Sequence, residues 1–366
     1  MQQYNSLKKL KIIKSLINLI PFSRSLRLTL RKKANAKFIP PALNLFIQDL
    51  ENKYPDYWIF STFWPWGDFL MCCALLDEFK KQNGGKILIL YAGDTQLQFI
   101  NTFKFADETL KVCPEFYYAL CTNKGFSEHN KHGLTKGHLY EMSHHVFKEV
   151  ETLNVTNFFE LYAKMFKLTD PIPEVPVVPP FVRDKVEELY TNISKNKKVI
   201  LITPDAHSYD SKEISIEFWG NLTSKLEDLG YKVIFNTKRK SFEKFEKVFL
   251  PLFEESYFAT LCYANITLRS GFTDIITIMG AENQIVLYPK SMRFITITEQ
   301  AQIEEINRCF KLRNDKTFEE TMFDVSSINN MFKKNFLEIV VDDESKTIDS
   351  ITQVLTEKEE TEVWNK

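Results

Sequence analysis

A short turn, Gly67-Asp68, holds the first residue type suited to chemistry, and it lies between an apolar run and a helical pattern. Glycine permits a tight turn, so the aspartate falls at the N-cap or in the first turn of a helix. A carboxylate at the end of a strand can take a proton from a hydroxyl group. Asp is also a preferred helix cap, so both interpretations of Asp68 stay open on spacing alone.

A second turn, residues 269–274, reads Arg-Ser-Gly-Phe-Thr-Asp and also joins an apolar run to a helical pattern. Free amides at the start of a helix bind anions, and an arginine adds a bidentate contact to phosphate. The turn therefore predicts a pyrophosphate site at Ser270 and Gly271. The alternative is an ordinary capped helix with Arg269 in solvent.

Polar and basic residues follow two further predicted strands. Residues 203–207 (Thr-Pro-Asp-Ala-His) end one strand, with Lys212 a little further on, and residues 236–240 end the next. A lysine and a histidine there can neutralise a diphosphate leaving group, whereas the alternative is a solvated loop. The candidates for binding a diphosphate ligand are Gly67, His207, Lys212, Asn236, Lys238, Arg269, Ser270, Gly271, Phe272, Thr273 and Asp274.

Five of the six histidines fall within residues 129–145. His138 and His145 are two helical turns apart, which is too far for one metal ion, and no Cys stands at metal-ligand spacing. We therefore expect no metal site, and these side chains either touch a ligand or lie on the surface. Trp66, His138 and His144 are the candidates for contact with a second substrate.

Several motif classes are missing from the chain. Without Asp-x-Asp, a metal-chelating nucleotide-sugar site is not expected. The lack of GxxxxGK[ST], GxGxxG and GxSxG disfavours P-loop NTPases, nicotinamide dehydrogenases and α/β-hydrolases. The six cysteines form no CxxC pair, so we interpret them as free thiols in a reducing compartment.

Strand and helix patterns alternate from residue 57 onward, which predicts parallel βαβ units and a doubly wound α/β fold. The predicted strands are 57–63, 86–91, 109–112, 198–203, 232–236, 265–268 and 284–288. The predicted helices are 68–80, 95–103, 138–167, 216–229, 257–264 and 272–279. Five prolines within residues 170–180 indicate a linker at 170–181. It separates domains at 49–169 and 182–341, whose ligands would bind beyond the carboxyl ends of the strands.

Charge is distributed unevenly along the 366 residues. Residues 1–48 hold ten Lys and Arg and no acid, whereas the remainder holds 37 basic and 48 acidic residues. An apolar stripe at helical spacing runs from Leu7 to Ile20, which predicts an amphipathic helix on an anionic membrane surface. The alternative is a helix packed on the body of the protein. The acidic tail, 342–366, is expected to contain one packed helix bearing Ile348, Ile351 and Leu355.

The chain resembles GT-B glycosyltransferases of the heptosyltransferase-like family of lipopolysaccharide and capsule assembly. The resemblance rests on Gly67-Asp68 with its helix, on Pro204 and Lys212 ahead of Phe218-Trp219, and on the turn at 269–274. It covers roughly residues 57–290. The family turn has an acid and a histidine where this chain has Arg269 and Asp274.

The resemblance implies two Rossmann-like domains facing a cleft and a nucleotide-sugar donor. It also implies that Asp68 is the base, that no metal or other cofactor is needed, and that the anomeric centre is inverted. The acceptor would be a glycan or lipid-linked glycan at the inner face of the cell membrane, reached through residues 1–37. Nucleic acid is not an expected partner. The alternatives are a sugar-nucleotide epimerase of the same fold and a non-catalytic binding protein.

Overall fold

A computed structural model describes residues 24–61, 66–113, 134–141, 158–206, 214–289 and 336–364, with Lys9, Ile12 and Ile13. Contacts divide the chain into two compact units. The first unit comprises residues 1–64 and 79–144, and the second comprises residues 65–78 and 145–366. The proline-rich segment expected to separate the domains falls inside the second unit, where the Glu174 N–H donates to the Ala74 carbonyl at 2.9 Å.

The first unit is built on a four-stranded sheet of parallel strands in the order β3-β2-β1-β4. Along residues 24–141 the elements are α1 (Arg24–Lys53), β1 (Tyr57–Ser61), α2 (Trp66–Asn83), β2 (Lys86–Tyr91), α3 (Asp94–Ile100), β3 (Glu108–Lys111) and β4 (Leu139–Glu141). Strand β2, KILILY, is buried from its second residue to its last. Such a continuous apolar run is typical of a parallel strand that is covered on both faces.

Helix α1 runs without interruption past residue 48, where the sequence placed the end of the basic arm. Between Ala34 and Leu50 one face of the helix joins the core that contains Ile59 and Leu88; its buried members are Ala34, Ile39, Ala42, Leu43, Ile47 and Leu50. Ile13, which belongs to the predicted apolar stripe, also packs against this core, whereas Ile12 is 60% exposed. Of the predicted amphipathic helix the structure describes Lys9, Ile12 and Ile13, and both interpretations of that helix stay open. The later helix α1 packs on the core of the first unit.

The second unit contains a five-stranded parallel sheet in the order β6-β5-β7-β8-β9. Its elements after residue 157 are α4 (Phe158–Met165), α5 (Pro180–Ser194), β5 (Val199–Thr203), α6 (Ile216–Asp228), β6 (Lys232–Phe235), α7 (Leu252–Leu261), β7 (Ala264–Leu268), α8 (Gly271–Ile278), β8 (Gln284–Pro289), β9 (Phe336–Val341) and α9 (Glu344–Trp364). Residues of α6 and α9 pack together against apolar side chains of the sheet. The predicted tail helix is confirmed, because Ile348, Ile351 and Leu355 are buried in this core.

Three local predictions differ from the structure. The helix predicted over 138–167 is wrong at β4, because Leu139–Glu141 pairs with β1, and residues 142–157 lie outside the described ones. The helix predicted from Asp68 begins two residues earlier, at Trp66. The helix predicted over 257–264 lies earlier, as α7, and Ala264 begins β7.

The cysteines that the structure describes are free thiols, with Cys72, Cys73 and Cys262 buried and Cys113 half-buried. Cys121 and Cys309 lie outside the described residues. Within the described part of the chain, no helix is both long and apolar enough to cross a membrane.

Candidate functional site

The carboxyl ends of β5, β6 and β7 collect the polar residues of the second unit at one edge of its sheet, because these strands are parallel. Beyond β5, Asp205 accepts a hydrogen bond of 2.5 Å from the Thr237 hydroxyl, and Thr237 follows β6. Arg239 lies 3.6 Å from the same carboxylate. Arg269 follows β7 directly. This edge is where ligands of doubly wound α/β domains bind.

The turn between β7 and α8 is built as the sequence predicts. Ser270 has extended backbone geometry and precedes the helix, and Gly271 is exposed at its first position. The Thr273 hydroxyl lies 3.0 Å from Thr267 and accepts from the Ser270 N–H at 3.4 Å, which holds the turn against the strand. The Ser270 hydroxyl oxygen is buried and has no partner among the described residues. A first helical turn leaves amides without intrahelical acceptors, so this turn can bind an anion.

Arg269 does not project into solvent, so that alternative is wrong. Its guanidinium lies 2.9 Å from Asp274 Oδ2 and donates to the Ser270 carbonyl at 2.7 Å. The side chains of this ion pair are only 10% and 8% exposed. Burial raises the pKa of Asp274 to about 6, although the Arg269 charge acts to lower it. Asp274 Oδ1 is buried and has no partner in the described part of the chain.

Gly67 brings the start of α2 against this same turn. A Cβ atom on Gly67 would lie 2.4 Å from Asp274 Oδ2, and a Cβ on Gly271 would lie 3.4 Å from the Gly67 nitrogen. Real Cβ atoms do not approach other atoms as closely as the first distance. The N-terminal ends of α2 and α8 therefore meet, and glycine at position 67 makes that approach sterically possible.

Asp68 is the third residue of α2 and is half-buried. Its Oδ1 accepts a hydrogen bond of 2.6 Å from the hydroxyl of Tyr162, a fully buried residue of α4. Burial raises the pKa of Asp68 above its ordinary value, whereas the Tyr162 hydrogen bond and the Arg269 charge act to lower it. The structure thus brings Asp68, Arg269 and Asp274 together with a tyrosine for which the sequence offers no signal.

The remaining candidates are distributed more widely. Asn236 is buried at the end of β6, and the Lys238 ammonium lies 3.8 Å from the centre of the Phe249 ring. Trp66 contacts Phe69 edge to face within α2. Phe272 is half-buried and Thr273 is buried. His207, Lys212 and His144 lie outside the described residues.

His138 lies at the amino end of β4, with Nδ1 3.5 Å from Glu51. The Leu139 N–H donates to the same glutamate at 3.0 Å. In a parallel sheet the amino ends lie at the edge opposite the carboxyl ends. The ligand site of the first unit was expected at the carboxyl ends, so His138 lies at the other edge of its sheet.

Glu255, in the first turn of α7, is buried as Asp274 is, but the sequence does not indicate it as a site residue. It is 5% exposed, and its Oε1 has no partner among the described residues. Burial raises its pKa to about 8, with Lys238 acting in the opposite direction. Helix α7 ends close to the start of β5, where the Tyr263 N–H donates to Val199, so its first turn lies towards the carboxyl edge of the sheet. Neither Glu255 nor Tyr162 belongs to a recognisable motif, and only the folded structure identifies them.

Within the described part of the chain, no three His, Cys, Asp or Glu side chains are grouped so that they could hold a metal ion. What the described site offers is a carboxylate next to an anion-binding helix N-terminus. Such a pair can remove a proton from one reactant while it stabilises negative charge that develops on another.

The sequence matches no protein-family model and no curated protein. The crystal structure of the glycosyl transferase family 9 protein from Veillonella parvula DSM 2008 is similar to this chain, with a TM-score of 0.50 at 14% identity. That similarity covers 82% of this chain and 97% of the other. The structure of E. coli ADP-heptose lps heptosyltransferase II has a TM-score of 0.47 at 13% identity and covers 70% and 99% of the two chains. The Veillonella parvula similarity shows the fold, and the predicted α/β architecture with two parallel sheets is confirmed.

Proposed function

We propose that the protein is a glycosyltransferase that moves a sugar from a nucleotide-sugar donor to a hydroxyl group of a bacterial surface glycan of the lipopolysaccharide or capsule type. One observation carries the proposal. The chain segment that holds Asp68 packs directly against the first turn of α8, through Gly67 and Asp274. A base and an anion-binding turn lie in contact, which is what transfer from a diphosphate donor requires.

The reaction uses Asp68 as the general base. Its carboxylate takes the proton of the acceptor hydroxyl, and the acceptor oxygen forms a bond to the anomeric carbon of the donor sugar. The bond between that carbon and the diphosphate oxygen breaks, and the nucleoside diphosphate leaves with the electron pair. A single displacement inverts the anomeric centre, and the chemistry needs no metal ion.

The leaving diphosphate is stabilised by the first turn of α8. The amides of Gly271, which is exposed, and of Phe272, which is half-buried, supply hydrogen-bond donors. Asp274 neutralises much of the Arg269 charge, so the backbone amides are the main phosphate ligands of this turn. Lys238, Asn236 and the residues His207 and Lys212 are donor-side candidates on sequence grounds.

A membrane role for residues 1–37 is the second part of the proposal. Lys33 and Lys37 are exposed on α1, and Lys9 and Ile12 are exposed as well. Helix α1 begins at Arg24 and packs on the core through one face, so a truncation that keeps the whole helix begins at residue 24 or earlier. Flotation with anionic liposomes compares the full chain with a chain that starts at Arg24. Loss of flotation in the shorter chain supports the membrane role, and equal distribution contradicts that role for residues 1–23, because both chains retain the basic residues from Arg24 to Lys37.

Donor binding is tested by the midpoint of thermal unfolding in the presence of UDP-, GDP-, ADP-, CMP- and dTDP-sugars, with and without EDTA. A donor at 100 times its dissociation constant stabilises the folded state by about 2.7 kcal/mol, so at least one sugar nucleotide raises the midpoint. Gly271→Val serves as the matched variant, because a branched side chain there blocks approach to the amides. No shift with any donor contradicts the proposal. Conversion of a donor without any acceptor indicates an epimerase instead.

A further inference from the structure

A buried tyrosine contacts the proposed base from another part of the chain. The Tyr162 hydroxyl donates to Asp68 Oδ1 at 2.6 Å, although 94 residues separate the two in sequence. The tyrosine side chain is fully buried. Its hydroxyl group is therefore fixed in place and is directed at one oxygen of the carboxylate.

We infer that Tyr162 is a positioning residue for glycosyl transfer, which keeps the Asp68 carboxylate ionised and presents its Oδ2 oxygen to the acceptor hydroxyl. The inference rests on the proposed function. It adds a residue that no motif of the sequence indicates. In the reaction, the acceptor proton passes to Oδ2 of Asp68, and Tyr162 keeps its own proton throughout.

Two opposing effects act on the Asp68 carboxylate. Burial alone favours the neutral acid, which could not act as a base. A hydrogen bond donated to the ionised form favours that form, and Tyr162 supplies one. Burial also raises the pKa of Tyr162 well above its ordinary value, so the hydroxyl remains a donor wherever the enzyme is folded.

The other groups facing this pair are few in the described residues. Arg269 lies on the β7–α8 turn and favours the ionised carboxylate, whereas Asp274 on α8 carries a like charge. Cys72, one helical turn beyond Asp68 on α2, acts electrostatically on Tyr162. Two neutral hydrogen bonds favour the ionised Asp68 carboxylate, one from the Tyr162 hydroxyl and one from the backbone N–H of Asp68 itself. The bond from Tyr162 comes from a side chain of another helix and occupies Oδ1.

The test is the pH dependence of kcat/KM for Tyr162→Phe in the full chain. Without the Tyr162 hydroxyl, the acid limb of the profile moves to higher pH by about one unit, because a hydrogen bond to a carboxylate shifts its pKa by that order. On the acid limb kcat/KM falls by up to about tenfold, and it returns towards the wild-type value at pH 9, while the affinity for the nucleotide sugar stays within twofold. An unchanged profile overturns the inference.

Tyr257→Phe is the matched control. It removes a tyrosine-carboxylate hydrogen bond of 2.7 Å, to Glu187, from the same unit. It is expected to leave the profile unchanged, and a shift equal to that of Tyr162→Phe overturns the inference.

Two further measurements keep the outcomes separate. Site-specific 3-fluorotyrosine at position 162 retains the shape of the side chain and makes the hydroxyl a stronger donor, so the acid limb moves to lower pH. No movement in a folded, active protein overturns the inference even if Tyr162→Phe fails to fold. If Asp68→Asn transfers sugar at the rate of wild type, Asp68 is not the general base and the proposed mechanism is contradicted. If Asp68→Asn is inactive but the substitutions at position 162 leave the pH profile of kcat/KM unchanged, only the inference about Tyr162 fails.

Discussion

Gly67 and Asp274 are in van der Waals contact without space for a side chain on Gly67. A Cβ atom there would lie 2.4 Å from Asp274 Oδ2 and 2.9 Å from its Cβ. Asp274 also pairs with Arg269, so this one contact joins the start of α2 to the ion pair at the β7–α8 turn. Whatever displaces Asp274 alters both the ion pair and the surroundings of Asp68.

Gly67→Ala is therefore expected to destabilise the protein by about 1–3 kcal/mol, the usual cost of forcing an extra carbon into a packed site. The control is Gly93→Ala, at a position where an added Cβ meets nothing within 4 Å. Urea unfolding at pH 7 measures both variants. Equal stability of the two variants would contradict the close contact at Gly67.

Arg269→Met should destabilise by about 3–5 kcal/mol at neutral pH, because it leaves Asp274 buried without its cation. The folded-state pKa of Asp274, about 6, lies above its ordinary value of 3.8. The folded protein thus binds this proton more tightly than the unfolded chain, and stability falls as pH rises through that range. Loss of Arg269 raises the pKa of Asp274 further, so the variant loses more stability at pH 8 than at pH 5.

The double variant Arg269→Met/Asp274→Asn supplies the control for that prediction. Removing both charges leaves no buried ion, so stability is expected to recover in part and to lose most of its extra pH dependence. If Arg269→Met loses the same stability at pH 5 and at pH 8, the buried charge of Asp274 is not the cause of the destabilisation.

Glu255→Gln should stabilise the protein above pH 8. Glu255 has a folded-state pKa of about 8 against an ordinary value of 4.5, so the folded state binds its proton more tightly than the unfolded chain. The protein therefore loses stability as pH rises from about 4.5 to 8. The Glu255→Gln variant does not lose stability in this way, so its free energy of unfolding rises relative to that of wild type by about 1–3 kcal/mol between pH 5 and pH 8.5. Glu227→Gln, exposed on α6, is the surface control and should stay within about 0.5 kcal/mol of wild type. An advantage for Glu255→Gln that does not change with pH would contradict the burial of an unpaired carboxyl group.

Strands and turns with strong local patterns could be predicted from the sequence. The apolar run of β2 and the turn from Arg269 into α8 are local features, and the structure has them at the predicted places. Gly67 lies inside the first turn of α2, whose predicted start is two residues too late. Strand β4 could not be predicted, because three residues carry no periodicity and only pairing with β1 makes them a strand. Local pattern decides where a strand or turn forms when the run is long enough.

The partners of the site residues could not be predicted in the same way. The sequence does not decide whether Arg269 contacts phosphate or solvent, and its burial against Asp274 depends on the packing of the folded unit. Tyr162 reaches Asp68 across 94 residues, and nothing in the sequence around either residue indicates the other. The candidate turns could be found from local pattern, whereas their hydrogen bonds and pKa shifts arise from burial in the folded unit.

Transfer by Asp68→Asn is the most direct test of the proposed function. The measurement pairs sugar transfer to an acceptor glycan with calorimetric binding of the donor, and Asp228→Asn, exposed at the end of α6, is the matched control. Loss of a general base lowers the rate by about 10²–10⁴-fold, while donor affinity stays close to that of wild type. Transfer within a few-fold of wild type, in a folded variant that binds donor, would contradict the role of Asp68 as the base.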